Sequence, residues 1–268
     1  MTNSRTIQAF VTERKALLRT EIAKLPRPPH LVIIQVNDDF ASNKYIQGKL
    51  NDAAEVKMKA TLTKLPVNIS EEDLIKVIEE NNNNKAVDGI IVQMPLPRQI
   101  SEEKIKQAIN PEKDVDGFHP LSSFNACTPY GVINYLKAVN VKIEGENVLI
   151  IGRSNIVGKP AAQLFLNENA NVTVVHSRTK EEDLNNFLSN AKIVVVAVGK
   201  PHFIHQQKLR EDAVLVDVGI NRLENGQLVG DIYPDQKVEL QTPVPGGVGL
   251  LTRLTLLENV MEAFKNGI

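Results

Sequence analysis

Three side chains in the first fifth of the chain are spaced for joint chemistry. Ser42, Tyr45 and Lys49 follow one another at intervals of three and four, which on a helix puts them on one face. A lysine held in a partly closed site loses the solvation of its ammonium, so its pKa falls and it can exchange protons near neutrality. Spacing alone is met more often on a solvated helix, where Tyr45 and Lys49 are ordinary surface residues. Gln93 ends the apolar run IIVQMPLP. The C-terminal end of a parallel strand is where α/β folds place ligands, although glutamine is equally compatible with a plain strand end. Further on, KDVDGFHP gathers Asp114, Asp116 and His119. Asp-x-Asp beside Gly117 is more often a polar turn than a metal site, and no glutamate or cysteine cluster completes a shell, so no metal is expected. A single carboxylate there could instead grip an amino-pyrimidine edge through paired hydrogen bonds, as it grips a guanidinium.

The second half carries a different signal. VLIIGRSNIVGKP has the layout of a strand, a glycine turn and a helix, which brings backbone close to a diphosphate and aims helix N–H groups at it. The spacing from Gly152 through Arg153 and Ser154 to Gly158 is not GxGxxG, and a tight βα turn of any α/β protein reads the same way. The following strand ends VTVVHSRT. It offers His176, Ser177 and Arg178 where a fold that prefers NAD usually carries a ribose-binding acid. Arg178 and Arg153 could hold a ribose 2′-phosphate with Ser177 donating a hydrogen bond; the alternative is a solvated basic loop. VVVAVGKP and VLVDVGIN are further strands running into glycine, placed to offer backbone groups to the ribose and nicotinamide halves of a cofactor. TPVPGGVGLLT couples two stiff prolines, Pro243 and Pro245, with Gly246, Gly247 and Gly249 before a helix, which suits a binding loop more than a linker. Y-x-x-x-K is also the spacing of short-chain dehydrogenases, but that family puts its glycine turn well before the tyrosine, and here Tyr45 precedes Gly152 by a whole domain.

These residues need a scaffold of alternating strands and helices, the pattern of a parallel α/β fold. Helices are expected over 5–24, 41–59, 71–84 (capped by Ser70), 101–109, 130–140, 157–168 and 251–266. Strands are expected over 30–36, 60–67, 89–93, 146–151, 171–175, 193–198 and 214–218, with helices between the later ones. A soft boundary falls near 118–128, where Pro120, Ser122, Ser123, Asn125 and Pro129 punctuate the chain. The 268 residues carry a formal net charge of −1, so no overall field recruits nucleic acid or an anionic membrane, and a small molecule read by a local site is the expected partner. Cys127 is the only cysteine, which excludes an intrachain disulfide and a cysteine zinc site. The N-terminus lacks the apolar core of a signal peptide, and no run approaches the roughly 20 apolar residues of a membrane span. By elimination a cytoplasmic location is expected.

Taken in order, SNKYIQGK, DGIIVQMPLP, PEKDVDGFHP, CTPYGV, GRSNIVGKP, HSRT, VVVAVGKP, VDVGIN and TPVPGGVG resemble the bifunctional methylenetetrahydrofolate dehydrogenase/methenyltetrahydrofolate cyclohydrolase family. The resemblance runs from about residue 31 to the final helix. It implies two αβα domains with a folate cleft between them: a catalytic domain of residues 1–122 plus about 252–268, and a Rossmann-like NADP domain of residues 123–251. It further implies a homodimer acting on tetrahydrofolate substrates, which oxidises the methylene form with NADP and hydrolyses the methenyl product. Carried over by motif, Lys49 is the catalytic lysine, Tyr45 lines and positions the folate, Gln93 hydrogen-bonds Lys49, and Asp116 binds the pterin ring. Gly152, Arg153 and Ser154 with Ser177 hold NADP, Ile220 meets it through its backbone, and Pro245, Gly246 and Gly249 border the folate. The chain departs from the family pattern at Asn51, which stands where a second lysine is usual, and at Leu250, which stands where proline follows VPGGVG. A monofunctional dehydrogenase of the same family would typically lack the lysine, and a non-catalytic folate- or nucleotide-binding protein would have no use for Tyr45, Lys49, Gln93 and Asp116 together.

Overall fold

HLVIIQ has no polar residue in its middle, and a strand of that kind is stable only with both faces covered. In the computed structural model, which describes residues 6–234 and 236–267, all six of its residues are buried. The elements of the first half are α1 (Ile7–Ile22), β1 (His30–Gln35), α2 (Phe40–Glu55), β2 (Lys59–Lys64), α3 (Glu71–Asn83), β3 (Gly89–Gln93) and α4 (Glu102–Ala108). Then follow α5 (Cys127–Ala138), β4 (Asn147–Ile151), α6 (Gly158–Asn167), β5 (Asn171–Val175), α7 (Glu181–Asn190), β6 (Ile193–Val196) and β7 (Val214–Asp217). A short hairpin β8 (Asn221–Arg222) and β9 (Leu228–Val229), the strand β10 (Leu240–Gln241) and α8 (Val248–Asn266) complete the chain. Residue contacts divide it into two units: Thr12–Cys127 with Arg253–Ile268, and Thr128–Thr252 with the segment up to Val11. The chain therefore passes between units inside α1, at the start of α5 and inside α8. Residues 6–11 group with the second unit.

In the first unit the parallel sheet has the order β2-β1-β3. Alternation sends Leu31 and Ile33 of β1 to one face, where Leu18, Ile22, Ile46, Ala53, Leu256 and Val260 cover them. Val32 and Ile34 go to the other face, against Leu74, Ile78 and Ile105 from α3 and α4. Each such aliphatic side chain contributes about 1.5–3 kcal/mol on full burial. The edge strand β2 is KATLTK, polar and half exposed, as an edge should be. The second unit has a five-stranded parallel sheet of order β10-β7-β6-β4-β5. Leu149, Ile151, Val194, Val196 and Leu215 line one face with Leu188 of α7, while α6 packs against β4 and β5.

Both sheets share one topological property. The first strand is interior, the next pairs on one side and the third on the other, so β1/β3 and β4/β6 are switch points, whose C-terminal ends open a crevice for ligands. In register, Gln35 lies beside Gln93 at one crevice and Ile151 beside Val196 at the other.

Several element ends differ from the sequence reading. The helix expected over 5–24 runs from Ile7, residue 5 lying outside the described residues. α2 stops at Glu55 because the chain turns through Lys57, at φ 66°. α5 starts three residues early, with Pro129 inside its first turn, where a missing N–H costs nothing. β6 ends at Val196 rather than 198, and α8 begins at Val248, its glycines notwithstanding. The hairpin β8–β9 and strand β10, two residues each, are too short to leave a pattern. Ser70 caps α3 as expected, accepting from the Asp73 N–H.

One ionic cluster ties three helices of the first unit together. Buried Asp52 of α2 accepts from Lys15 Nζ of α1 and from Arg253 Nε of α8, both at 2.6 Å. Asp52→Ala leaves Arg253 without its anion and Lys15 with only the more exposed Glu55, 2.8 Å from its Nζ, so a loss of about 3 kcal/mol is expected. Urea unfolding followed by circular dichroism measures it; a loss below about 1 kcal/mol would show that both cations reach other partners or water.

Candidate functional site

The helix spacing of Tyr45 and Lys49 becomes a site because Lys49 of α2 reaches Gln93 at the end of β3. Lys49 is only 5% exposed, and its Nζ donates to Gln93 Oε1 at 3.1 Å. Its ammonium lies 5.0 Å from the centroid of the Tyr45 ring, within the range of cation–π attraction. Gln93 is itself held: its Nε2 donates to Met94 O at 2.8 Å, so the side-chain oxygen can only face Lys49. Ser42 Oγ reaches the same Met94 carbonyl at 3.5 Å, and the Met94–Pro95 peptide is cis. Burial pushes the Lys49 ammonium below its ordinary pKa; the charge of Asp116 opposes this, and that of Arg253 adds to it. Asp116 thus belongs to the same electrostatic neighbourhood as Lys49, beside a buried Cys127 whose thiol burial pushes well above its usual range.

The neighbouring carboxylate has another task. Asp114 is buried and accepts the His119 N–H at 2.7 Å, while its carbonyl accepts from Ser122 Oγ at 3.0 Å; burial raises its pKa. It closes the turn that presents Asp116. Lys113 anchors the start of the same loop by donating to the carbonyls of Asn81, Asn82 and Asn84 at the end of α3. Asn259 of α8 completes the support, donating to Val115 O at 2.9 Å and Asn125 O at 3.2 Å. Among the described residues no group of three or more His, Cys, Asp or Glu side chains is placed to hold a metal ion.

In the second unit β4 runs into Gly152, at φ 124°, where a Cβ would meet the carbonyl of Ala197. A Cβ on Gly158 would strike the Gly152 carbonyl, so the turn closes only on two glycines. Ser154 Oγ accepts from the N–H groups of Val157 (3.2 Å) and Gly158 (3.3 Å), fixing the start of α6. The Gly152 N–H donates to Val175 O at 2.9 Å, which sets this turn beside the one ending β5. There the His176 N–H donates to Thr179 Oγ1 at 3.0 Å and the Arg178 N–H to His176 Nδ1 at 3.2 Å. Ser177 and Arg178, like Arg153 and Ser154, are exposed. A helix N-terminus, a backbone cradle and two arginines with no carboxylate at the strand end fit a dinucleotide carrying a 2′-phosphate. Ile220, 60% exposed after β7, lies next to Gly249: a Cβ there would stand 3.9 Å from its Cδ1. Pro245 and Gly246 are exposed just before α8, and the Val244–Pro245 peptide is cis.

Sequence reasoning passed over Arg253, Asp52 and Asn259, whose signal was only helix spacing around Lys49 and along α8. It also passed over Asp217 and Asp231, both buried in the second unit. VLVDVGIN does show a carboxylate at the end of an otherwise apolar strand.

The cost of burying Lys49 is measurable. A lysine whose folded pKa lies below its unfolded one destabilises the fold at low and neutral pH, and the penalty fades as pH rises from the folded pKa to the unfolded one. Lys49→Met is therefore expected to raise the unfolding midpoint at pH 7, with the advantage shrinking toward pH 10. Thermal unfolding across that pH range tests this; an equal or lower midpoint at pH 7 contradicts it.

Residues 4–116 match the family model of the tetrahydrofolate dehydrogenase/cyclohydrolase catalytic domain, and residues 126–268 match that of the tetrahydrofolate dehydrogenase/cyclohydrolase NAD(P)-binding domain. The bifunctional protein FolD of Oceanobacillus iheyensis is 44% identical over 94% of this chain and 93% of its own, and that of Listeria innocua is 45% identical over 97% and 93%. The crystal structure of the bifunctional methylenetetrahydrofolate dehydrogenase/cyclohydrolase from Campylobacter jejuni superposes with a TM-score of 0.94 at 38% identity, covering 97% of both chains. The Trypanosoma brucei enzyme, crystallised with NADP cofactor and an inhibitor, gives 0.91 at 32% identity over 96% and 95%. With both units matched and the lysine, glutamine and glycine-turn geometry in place, the chain belongs to the tetrahydrofolate dehydrogenase/cyclohydrolase family.

Proposed function

We propose that this protein oxidises 5,10-methylenetetrahydrofolate to 5,10-methenyltetrahydrofolate with NADP⁺ and hydrolyses the product to 10-formyltetrahydrofolate. The observation that carries the reading is the buried Lys49–Gln93 pair in a chain that also keeps the glycine turn and the Ser177–Arg178 loop.

NADP⁺, when bound, supplies the hydride acceptor. Gly152, Arg153 and Ser154 hold its diphosphate side, and Ser177 and Arg178 with Arg153 hold the 2′-phosphate. Ile220 meets it through the backbone, while Pro245, Gly246 and Gly249 border the folate. Asp116 pairs with the pterin edge, as a carboxylate pairs with a guanidinium. Tyr45 lines the folate and sets its position. These residues hold substrate and cofactor in one geometry, and that alignment is the protein's share of the redox step.

Hydrolysis needs a proton carrier. Water adds to the methenyl carbon and gives up one proton, the ring nitrogen N5 is protonated as its bond to that carbon breaks, and the remaining hydroxyl proton is released to solvent as the formyl C=O forms. Lys49, its pKa lowered by burial, takes and returns the proton. The bond to Gln93 Oε1 occupies one N–H and leaves the nitrogen lone pair of the neutral amine for the reacting water. The family resemblance further supports a homodimer, which light scattering of the purified protein tests.

Two expected outcomes follow from this assignment. NADP⁺ is used well ahead of NAD⁺, and replacing Arg153 and Arg178 with Ala weakens NADP⁺ chiefly, each lost charge-assisted contact costing roughly 1.5–3 kcal/mol. Equal kcat/KM for the two cofactors in the unmodified enzyme would overturn the phosphate assignment. Lys49→Met lowers hydrolysis of purified methenyltetrahydrofolate by about 100-fold or more, the effect of losing a general acid–base group, and lowers dehydrogenation less. Decay at the wild-type rate, corrected for spontaneous hydrolysis, would mean that Lys49 carries no proton and that the protein is at most a monofunctional dehydrogenase.

A further inference from the structure

At the C-terminal ends of β6 and β7 two carboxylates are interlocked in the interior of the second unit. Asp217 is the last residue of β7, and Asp231 follows β9; both are buried, Asp231 with no exposed surface. Asp231 Oδ2 accepts the N–H groups of Val198 (2.7 Å) and Gly199 (2.9 Å), and its Oδ1 accepts Lys200 N–H (2.8 Å) and Asn221 Nδ2 (2.9 Å). Asp217 holds the segment that carries Asp231: its Oδ1 accepts the N–H groups of Gly219 (3.0 Å) and of Asp231 itself (2.9 Å), and its Oδ2 that of Ile232 (2.8 Å). Each carboxylate sits where a glycine beside the other leaves room. A Cβ on Gly219 would overlap the Asp231 carboxylate, and one on Gly230 would overlap that of Asp217.

Three successive N–H groups converging around Gly199, at φ 64°, form the kind of concavity that binds anions. Here the protein's own carboxylate fills it, so these three N–H groups are taken and do not cradle a cofactor phosphate. The turn between β4 and α6 keeps that role. We propose that Asp231, locked by Asp217, is a positioning residue for NADP⁺. It sets residues 198–200 and, through Asn221, the Gly219–Ile220 turn as one rigid rim at the ends of β6 and β7. The nicotinamide half docks against that rim. This rests on the dehydrogenase function proposed above, and it adds residues that touch neither cofactor nor folate.

Asp231→Asn tests it sharply, because both carboxylate oxygens accept two donors and an amide must turn its NH₂ onto one pair. Calorimetry with NADP⁺ is expected to show Kd raised by roughly tenfold or more, the scale of a lost charge-assisted hydrogen bond. Hydrogen exchange of the Val198–Lys200 amides speeds up, while hydrolysis of methenyltetrahydrofolate, which uses no nicotinamide, keeps its rate. Asn221→Ala removes a single donor, and is expected to raise Kd by a smaller factor; it carries the test if Asp231→Asn does not fold. Wild-type Kd in the variant that folds, or an equal loss of NADP⁺ binding and hydrolysis, overturns the positioning role. Absence of NADP⁺ binding by the unmodified protein would instead sink the dehydrogenase reading together with this one.

Discussion

Keeping an amine in the interior of a protein with a neutral amide as its hydrogen-bond acceptor is costly, and much of the first unit serves that arrangement. Lys49 could escape its burial by a change of rotamer unless its surroundings left no other place. α2 is pinned by Asp52 between Lys15 and Arg253, one turn beyond Lys49. Gln93 is pinned by Met94, at the end of a strand buried on both faces. The acceptor is an amide and not a carboxylate, so the contact orients the amine while stabilising its charge less than an ion pair would. A carboxylate in the place of Gln93 would raise the lysine's pKa and so oppose the effect of burial.

The two units solve the same positioning problem by the same topology. In each, an interior parallel strand has its successor on one side and the third strand on the other, and chemistry-bearing residues gather where the chain changes direction. The first crevice is finished with polar side chains, Lys49, Tyr45 and Gln93, of which Lys49 and Gln93 are hydrogen-bonded to each other. The second is finished with backbone, since Gly152 and Gly158 exclude side chains and let N–H groups approach a phosphate.

Buried carboxylates play a consistent part in both. Asp52, Asp114, Asp217 and Asp231 are all buried, and each binds donors of the fold itself. Asp116 is the one left half-buried beside Lys49. Sequence cannot separate these uses. Asp114 and Asp116 stand two apart in one motif, and only the turn through Gly117 decides which faces inward to His119 N–H and which stays available.

Features that rest on local periodicity and on ordered motifs were legible in the chain before any folding. Continuous apolar runs identified β1, β3, β4 and β6, since a strand covered on both faces must be apolar throughout. The glycine turn with a following HSRT pointed to a phosphorylated dinucleotide, and the ordered motifs carried the family. Contacts between distant segments decided the rest. Asp52 meets Arg253 across 201 residues, and Asn259 reaches Val115 across 144. The Asp217–Asp231 lock joins three loops whose residues show no shared pattern along the chain. Two-residue strands such as β10 exist only because a neighbouring strand offers them a ladder. Lys49 shows the limit most clearly: spacing put it on a helix face, but its burial and its bond to Gln93 come from the tertiary fold that brings α2 to the end of β3.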